Sequence, residues 1–517
     1  KFTSGCTSLT TPTATLSSPV PTFNGEATSI YLAKGCVGDD TINVTANAGG
    51  VNLTATATIN VLPADVGSIK FESATPENIS ILGTGNDESS TVIFTVLDTN
   101  GNPVNNQKVN FSLNTITGGI QLIPESATTD INGLVQTVVN SGTVATTVRV
   151  KAAIDGSSPE IATQSSKLVV STGIPDQDSM SLSASVLNPE AWNYDGDDLA
   201  GVDVIIHMAD AFNNPVPDGT AVNFTTEGGS IDPSCVTQNG NCTVNWRGQF
   251  PRPEGEELTT RVCIDADLLN IATGCADVVN TLGQRFGGRA TVLATAIGEE
   301  SFPDLNGNGR FDASEVSSFV GGTDVSGRVF DVKEAFVDHN EDGVYNPAEN
   351  GGNVTNGSGE QEEFVDFNND GAFTQNDGLY NGVLCTEPAH AGCAVNKQSV
   401  NVRDSIVLVM SGSEPFFTHT TDLVTVAVKG AAGFATIIAD LHNQPMPAGT
   451  IVSFAVSGEA SLIGEGSYVV PSTNFNGGLG YGIGIKGGDE PGSAILTITV
   501  ETPNGVKSTT GVNIIVG

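Results

Sequence analysis

One phrase is written three times between residues 300 and 377, and it restricts the fold of that stretch more than any other feature of the chain. Its form is Glu-x-Phe-x-Asp-x-Asn-x-(Asn/Asp)-Gly-x-aromatic. The copies run from Glu300 to Phe311, from Glu334 to Tyr345 and from Glu362 to Phe373. Oxygen-bearing side chains spaced by two converge on one point only where the chain then turns sharply, and each copy has glycine at that turn: Gly309, Gly343 and Gly371. The stretch 298–380 holds eighteen Asp plus Glu against three Lys plus Arg, so it would push itself apart unless counter-ions were bound within it.

Counted as twelve-residue loops, the copies place Asp304, Asn306 and Asn308, then Asp338, Asn340 and Asp342, then Asp366, Asn368 and Asp370 at positions 1, 3 and 5. Position 7 offers its backbone carbonyl, which leaves Arg310, Val344 and Ala372 free to differ. Positions 9 and 12 are Asp312 and Glu315, Asn346 and Glu349, and Thr374 and Asp377. An all-oxygen donor set of this spacing suits calcium, so about three Ca2+ ions are expected, with the leading Glu300, Glu334 and Glu362 counted among the metal-site residues. Asp377 is shorter than Glu, which makes the third loop the weakest expected site. The loops resemble those of EF-hands, but the flanks do not support EF-hand helices. Pro347 interrupts the exit of the second loop, and Gly351, Gly352, Gly357 and Gly359 follow. A compact calcium ladder is therefore expected.

The whole chain has 517 residues and a formal charge of −38, which makes nucleic acid and anionic membrane surfaces improbable partners. The eight cysteines fall into sequence-local couples: Cys6 with Cys36, Cys235 with Cys242, Cys263 with Cys275, and Cys385 with Cys393. None shows CxxC spacing, so disulfides in an oxidising, extracellular compartment are expected. No run of eighteen apolar residues is present, and no basic-then-apolar leader opens the sequence given.

Segments such as Thr91–Leu97, Val202–His207, Leu423–Lys429 and Ile495–Val500 alternate with the period of half-buried strands and are β-branched. The class expected is all-β, built as tandem sandwiches. Three turns repeat: Asp98-Thr-Asn-Gly-Asn-Pro103, Asp210-Ala-Phe-Asn-Asn-Pro215 and Asp440-Leu-His-Asn-Gln-Pro445, each followed by a strand containing Phe111, Phe224 or Phe454. Second landmarks trail them at Asp130–Gly133, Gln238–Gly240 and Asn474–Gly477. This pattern resembles the bacterial immunoglobulin-like repeats of the invasin and intimin group. The resemblance implies immunoglobulin-like sandwiches in an elongated array and an adhesin-like or surface-display role, and it identifies a fold rather than a ligand.

The turn Asp residues are 112 and then 230 apart, so the third module carries about 118 extra residues. The expected division is a partial module at 1–63 with later strands only, a module at 64–174, a third at 175–411 with insertions at about 252–287 and 298–398, and a fourth at 412–517. The acidic loops fall in the larger insertion, tied by Cys385 and Cys393. The partial first module reads either as a fragment of a longer array or as an acceptor for a strand from another molecule.

Signatures of metalloproteases, serine hydrolases, phosphate loops and dinucleotide sites are missing from the sequence, and its five histidines are scattered, with His390, His419 and His442 expected in surface turns or edges. A non-enzymatic extracellular surface protein is expected, rigidified by calcium and acting in adhesion or display. The alternative is a filament subunit assembled through module ends or strand donation. A carbohydrate-binding accessory module fits less well, since aromatics are 6% of the chain. The partners expected are other copies, neighbouring surface proteins, or a host or matrix protein or glycan.

Overall fold

The computed structural model describes residues 1–62, 65–82, 87–253, 287–347, 362–386, 388–395 and 399–517. Strands dominate, and among the described residues the one α-helix is the single turn Val316–Phe319. The chain divides into two compact units, Lys1–Gly173 and Ile174–Gly517.

In the first unit, Phe2–Ser4 pairs with Gly38–Ala48, which forms a long hairpin with Val51–Val61. Among the described residues Val51–Val61 has this one strand partner, and it is exposed along nearly its whole length, including Val51 and Leu53. The bond between Cys6 and Cys36 joins the first segment to the start of the hairpin. A complete sandwich follows. One sheet has the order Gln121–Ile123, Leu134–Asn140, Ser89–Asp98, Val66–Thr75, and the facing sheet Ser126–Thr128, Lys108–Leu113, Val150–Ile154, Ala162–Gln164. The alternation read from Thr91–Leu97 becomes geometry here: Val92, Phe94 and Val96 are fully buried, and Phe94 meets Phe111 of the opposite sheet at 5.9 Å between ring centroids.

The second unit contains two sandwiches. In the first, Met180–Ala184, Gly196–Met208, Asn241–Gly248 and Ser230–Ile231 face Ser234–Val236, Ala221–Thr226, Arg289–Gly298 and Val400–Val409. Val202, Val204 and Ile206 point into a core that also holds Trp246, whose indole N–H donates to Gly228 O at 2.9 Å. Trp246 is thus a core residue. The second sandwich sets Phe416–His419, Ala431–Ala439, Leu479–Gly487 and Ala460–Ile463 against a five-stranded sheet running Leu423–Val426, Lys507–Val516, Gly492–Glu501, Ile451–Gly458, Ser467–Val469. Its last strand pairs in parallel with Leu423–Val426, as Leu168–Ser171 does with Asn78–Ser80 in the first unit.

The three repeated turns share one hydrogen-bond pattern. Asp98 Oδ1 accepts from the amides of Asn100 and Asn102, Asp210 Oδ1 from those of Phe212 and Asn214, and Asp440 Oδ1 from those of His442 and Gln444, at 2.8–3.0 Å. The fourth residue of each turn is left-handed (Gly101, Asn213, Asn443), which is why Gly or Asn occupies it.

Cys235 is bonded to Cys242 and Cys385 to Cys393, while Cys263, Cys275 and nearly all of the expected 252–287 insertion lie outside the described residues. Phe94 bridges the two sheets of its sandwich, so Phe94→Ala should lower unfolding free energy by about 3–5 kcal/mol. Urea denaturation of the variant against the parent chain measures this.

Candidate functional site: the acidic insertion

Arg289–Gly298 and Val400–Val409 pair along their full length, with Gly298 opposite Val400. Residues 299–399 therefore leave and rejoin the sandwich at adjacent Cα positions, so a long insertion costs the core nothing and little chain entropy. The departure point is pinned by buried acids. Tyr380 OH and the Val383 amide both donate to Glu299 Oε2, and Ser301 Oγ donates to Asp176 Oδ2 at 2.8 Å. Burial, with Asp178 beside it, pushes Asp176 up to about 9.

All three loops wind the same way. Position 1 accepts from the glycine amide at position 6: Asp304 from Gly309, Asp338 from Gly343 and Asp366 from Gly371, at 2.7–2.8 Å. Position 5 accepts from the amide of position 7, which gives Asn308 with Arg310, Asp342 with Val344, and Asp370 with Ala372. The Asn oxygens at position 3 (Asn306, Asn340, Asn368) accept from the amide of position 5. Position 6 has φ of 70–75°, and position 4 is left-handed too, as Gly307, Glu341 and Asn369. At position 9, hydrogen bonds from Asn306 and then Asn308 hold Asp312 below the usual carboxylate range. Asn346 Nδ2 at position 9 donates to the Val344 carbonyl at position 7, and Thr374 Oγ1 accepts from Asn368.

Closure follows the twelve-residue count in the first loop and departs from it in the second and third. In the first loop Glu315, at position 12, accepts the amides of Leu305 and Asp312 (positions 2 and 9) at 2.7 and 2.9 Å. In the second loop the same two amides, of His339 and Asn346, go to Glu362. In the third, the amides of Phe367 and Thr374 go to Glu334, at 3.0 and 2.8 Å. The second and third loops thus exchange their leading glutamates. The antiparallel bridge between Phe336 and Phe364, with Val337 N bonded to Glu363 O and Val365 N to Ala335 O, explains the exchange. It sets Glu334 opposite Asp366 and Glu362 opposite Asp338. Asp377 therefore does not close the third loop, because Glu334 fills that place and Asp377 Oδ1 instead accepts the Leu379 amide. Glu349 lies outside the described residues. Glu300 turns away from its own loop to the amides of Val332 and Asn381.

Glu300, Glu315, Glu334 and Glu362 are all buried, and burial pushes Glu362 up and Glu300 to about 8. Carboxylates in this position call for positive charge. Among the described residues, three His, Cys, Asp or Glu ligand atoms lie within 4.8 Å of one another at Cys385–His390–Cys393 and at Cys6–Cys36–Asp40. The sulfurs there are already bonded in disulfides. The loops offer a different, mixed donor set of carboxylate, Asn side-chain and backbone carbonyl oxygens, the set that hard divalent cations take.

Two clusters of aromatic rings take the place of helices. Tyr345 stacks on Phe373 at 4.1 Å, flanked by Phe336 and Phe364, while Phe302, Phe311, Phe319 and Tyr380 form the other cluster. Ala335, Val337 and Val365 then pack on Leu293 of the sandwich.

The second loop also touches the last sandwich through Arg289, which the sequence did not single out. Its guanidinium bridges both oxygens of Glu341, at loop position 4, and donates to Gln444 Oε1 and Asn474 O in the two landmark turns of the final sandwich. Thr291 Oγ1 holds the Asp338 carbonyl at 2.8 Å. Elsewhere in this junction Asn188 bonds Met446 O and Thr473 N, and Glu190 accepts from Ser413 and Asn504. His442, expected at the surface, is buried against Trp192 with ring centroids 4.0 Å apart, and burial lowers it to about 4. Its neighbours come from a distant segment, so local sequence carried no sign of this.

Residues 73–168 match the family described as Bacterial Ig-like domain (group 1). No curated protein matches the chain. Among solved structures, the chain is similar to the Escherichia coli adhesin FdeC (13% identity, 88% of this chain and 99% of that one, TM-score 0.27). It is also similar to a C-terminal intimin fragment solved in complex with the intimin-binding domain of the translocated intimin receptor (13% identity, 45% and 60%, TM-score 0.19). A third is the S-layer protein SbsC (12% identity, 98% and 49%, TM-score 0.19).

Arg289→Ala leaves Glu341 and two turn acceptors without their buried cation. It should destabilise the Ile174–Gly517 unit by about 3 kcal/mol or more, near the cost of breaking a buried ion pair, and expose the junction to limited proteolysis near Gln444 and Asn474.

Proposed function

We propose that this chain is a non-enzymatic, extracellular bacterial surface protein that acts in adhesion or surface display. About three calcium ions order the insertion of the third module and, through it, brace that module against the fourth. The observation that carries this reading is Arg289, a buried cation shared between Glu341 of an acidic loop and the turns of the last sandwich. Order in the loop is then order at the junction.

In the first loop the ion would draw on Asp304, Asn306, Asn308, the Arg310 carbonyl, Asp312 and Glu315. In the second it would draw on Asp338, Asn340, Asp342, the Val344 carbonyl, Asn346 and Glu362, and in the third on Asp366, Asn368, Asp370, the Ala372 carbonyl, Thr374 and Glu334. Calcium supplies positive charge to the buried glutamates beyond that of Arg403 near Glu300 and Lys333 near Glu362, and it tolerates the irregular coordination of such loops. The matched bacterial immunoglobulin-like family supports a surface setting, as do the disulfides. Among the described residues no helix is long and apolar enough to cross a membrane. The partners fitting this reading are copies of the chain, neighbouring surface proteins, or a host or matrix protein or glycan.

Hydrogen exchange with and without chelator tests the calcium reading. Chelation should increase exchange in Val292–Ala296, the strand on which the insertion packs through Leu293, and leave Val92–Val96 of the first unit protected. An equal response in both strands would sink it.

A second reading, assembly into filaments by strand addition, rests on the open edge of Val51–Val61. Negative-stain electron microscopy in millimolar calcium separates the two readings. Ordered fibres that disperse in chelator support assembly, and isolated particles support display alone.

A further inference from the structure

We propose that the insertion holds a fourth divalent-cation site, assembled from two separated stretches, Asp331–Val332 and Asn376–Asn381, and closed by Glu300. The proposal rests on the cation reading of the three continuous loops.

The bond of position 1 with position 6, that of position 5 with position 7 and the glutamate clamp of the continuous loops all have counterparts here. Asp331 Oδ2 accepts the amide of Gly378 at 3.0 Å, as the position 1 aspartates accept from the position 6 glycines, and Gly378 has φ of 76°. Asp377 Oδ1 accepts the Leu379 amide at 2.9 Å, the bond between positions 5 and 7. Asn381 Nδ2 donates to the Leu379 carbonyl at 2.9 Å, as Asn346 donates to Val344 in the second loop at 2.8 Å. Tyr380 takes position 8 and packs on Phe302 and Phe311, as Tyr345 packs on Phe336 and Phe373. Glu300 accepts the amides of Val332 and Asn381 at 2.8 and 2.7 Å, the same position 2 and position 9 amides that a glutamate clamps in the other three loops. Sequence spacing hides this loop because more than forty residues separate Val332 from Asn376.

Independent evidence for a ligand comes from two oxygens. Asp331 Oδ1 and Asn381 Oδ1 are buried with no hydrogen-bond partner, in residues that are 4% and 7% exposed. In the continuous loops the equivalent aspartate oxygen is occupied by amides from positions 4 or 5, such as Asn308 N on Asp304 and Asp342 N on Asp338. Here the Asp377 amide acts on the Asp331 carboxylate, yet among the described residues no donor bonds Oδ1, which leaves that oxygen to a ligand. Asn376 Nδ2 donates to the other oxygen, Asp331 Oδ2. Arg403 acts electrostatically on Glu300, but its guanidinium donates to Lys333 O, and the Glu300 carboxylate is held by Val332 and Asn381. A cleft of about 50 Å³, lined by Val332, Lys333, Asp377 and Asn381 among others, lies beside the site with room for a water. All donors are oxygens, which suits calcium and excludes a soft-metal site.

The arrangement also accounts for the first copy of the repeated phrase. The split loop has Gly327 where a leading glutamate would stand, so it has none to give in exchange. The first loop closes with its own Glu315, and Glu300 is released to close the split loop.

Native mass spectrometry of the full chain in millimolar calcium counts the ions. Four on the parent chain and three on both Asp331→Asn and Asp377→Ala are expected. Asp377 is exposed, so Asp377→Ala decides the matter should Asp331→Asn fail to fold. Three ions on the parent and three on the variants overturns the fourth site and leaves the three loops standing. Four on parent and variants alike overturns it as well, since the extra ion then sits elsewhere. No ions on the parent overturns both readings.

Discussion

Buried glutamate carboxylates, each gripping two backbone amides, are the constraint on which the insertion depends. Glu315, Glu334 and Glu362 reach across from position 2 to position 9 of a loop and hold its ends together. A charge-assisted hydrogen bond contributes roughly 1.5–3 kcal/mol in a favourable setting. Burying the anion that makes it costs several kcal/mol unless an opposite charge is near. Amides alone supply dipoles rather than net charge. On the proposed reading, the same feature that shapes the loops makes them depend on bound cations.

That dependence reaches beyond the loops because the insertion lies against two structures at once. Asp338 is fastened by its carbonyl to Thr291 in the strand Arg289–Gly298, and Glu341 is fastened through Arg289 to the turns at Gln444 and Asn474. Glu341 sits at loop position 4 with φ of 58°, a conformation that costs a non-glycine residue free energy and that persists because its surroundings fix it. Losing loop order releases Glu341 and leaves Arg289 buried with its charge unmatched.

Legibility in the sequence follows the range of the interactions. Alternation in Thr91–Leu97 exposed the strand because inward and outward faces are set residue by residue. The Asp98, Asp210 and Asp440 turns were legible because each is closed by its own side chain within four residues. The interior of each acidic loop is equally local. Glu334 and Glu362 were visible as part of the phrase, but their exchange was not, since it depends on the bridge between Phe336 and Phe364. The twelve-residue count pointed to Asp377 instead, and in the fold Asp377 belongs to a different loop. Arg289, His442 and Asp331 carry no local signature at all, and their partners lie in segments up to 250 residues away.

On the proposed reading, cations rather than a larger apolar core order this insertion. Among the described residues its hydrophobic content is mainly two clusters of four rings and a patch on Leu293, with Phe330 and Leu384 also buried, and aromatic pairs contribute only about 0.5–1.5 kcal/mol each beyond burial. Ordering a single residue costs about 1–2 kcal/mol of backbone entropy, so rings alone cannot hold a stretch this long. An ion at a hundred times its dissociation constant adds about 2.7 kcal/mol, and does so only in the folded state. On the proposed reading, the insertion gains that stabilisation where calcium is plentiful, outside the cell. Chelation then acts on the junction through Glu341 and Arg289, without touching the apolar core of either sandwich.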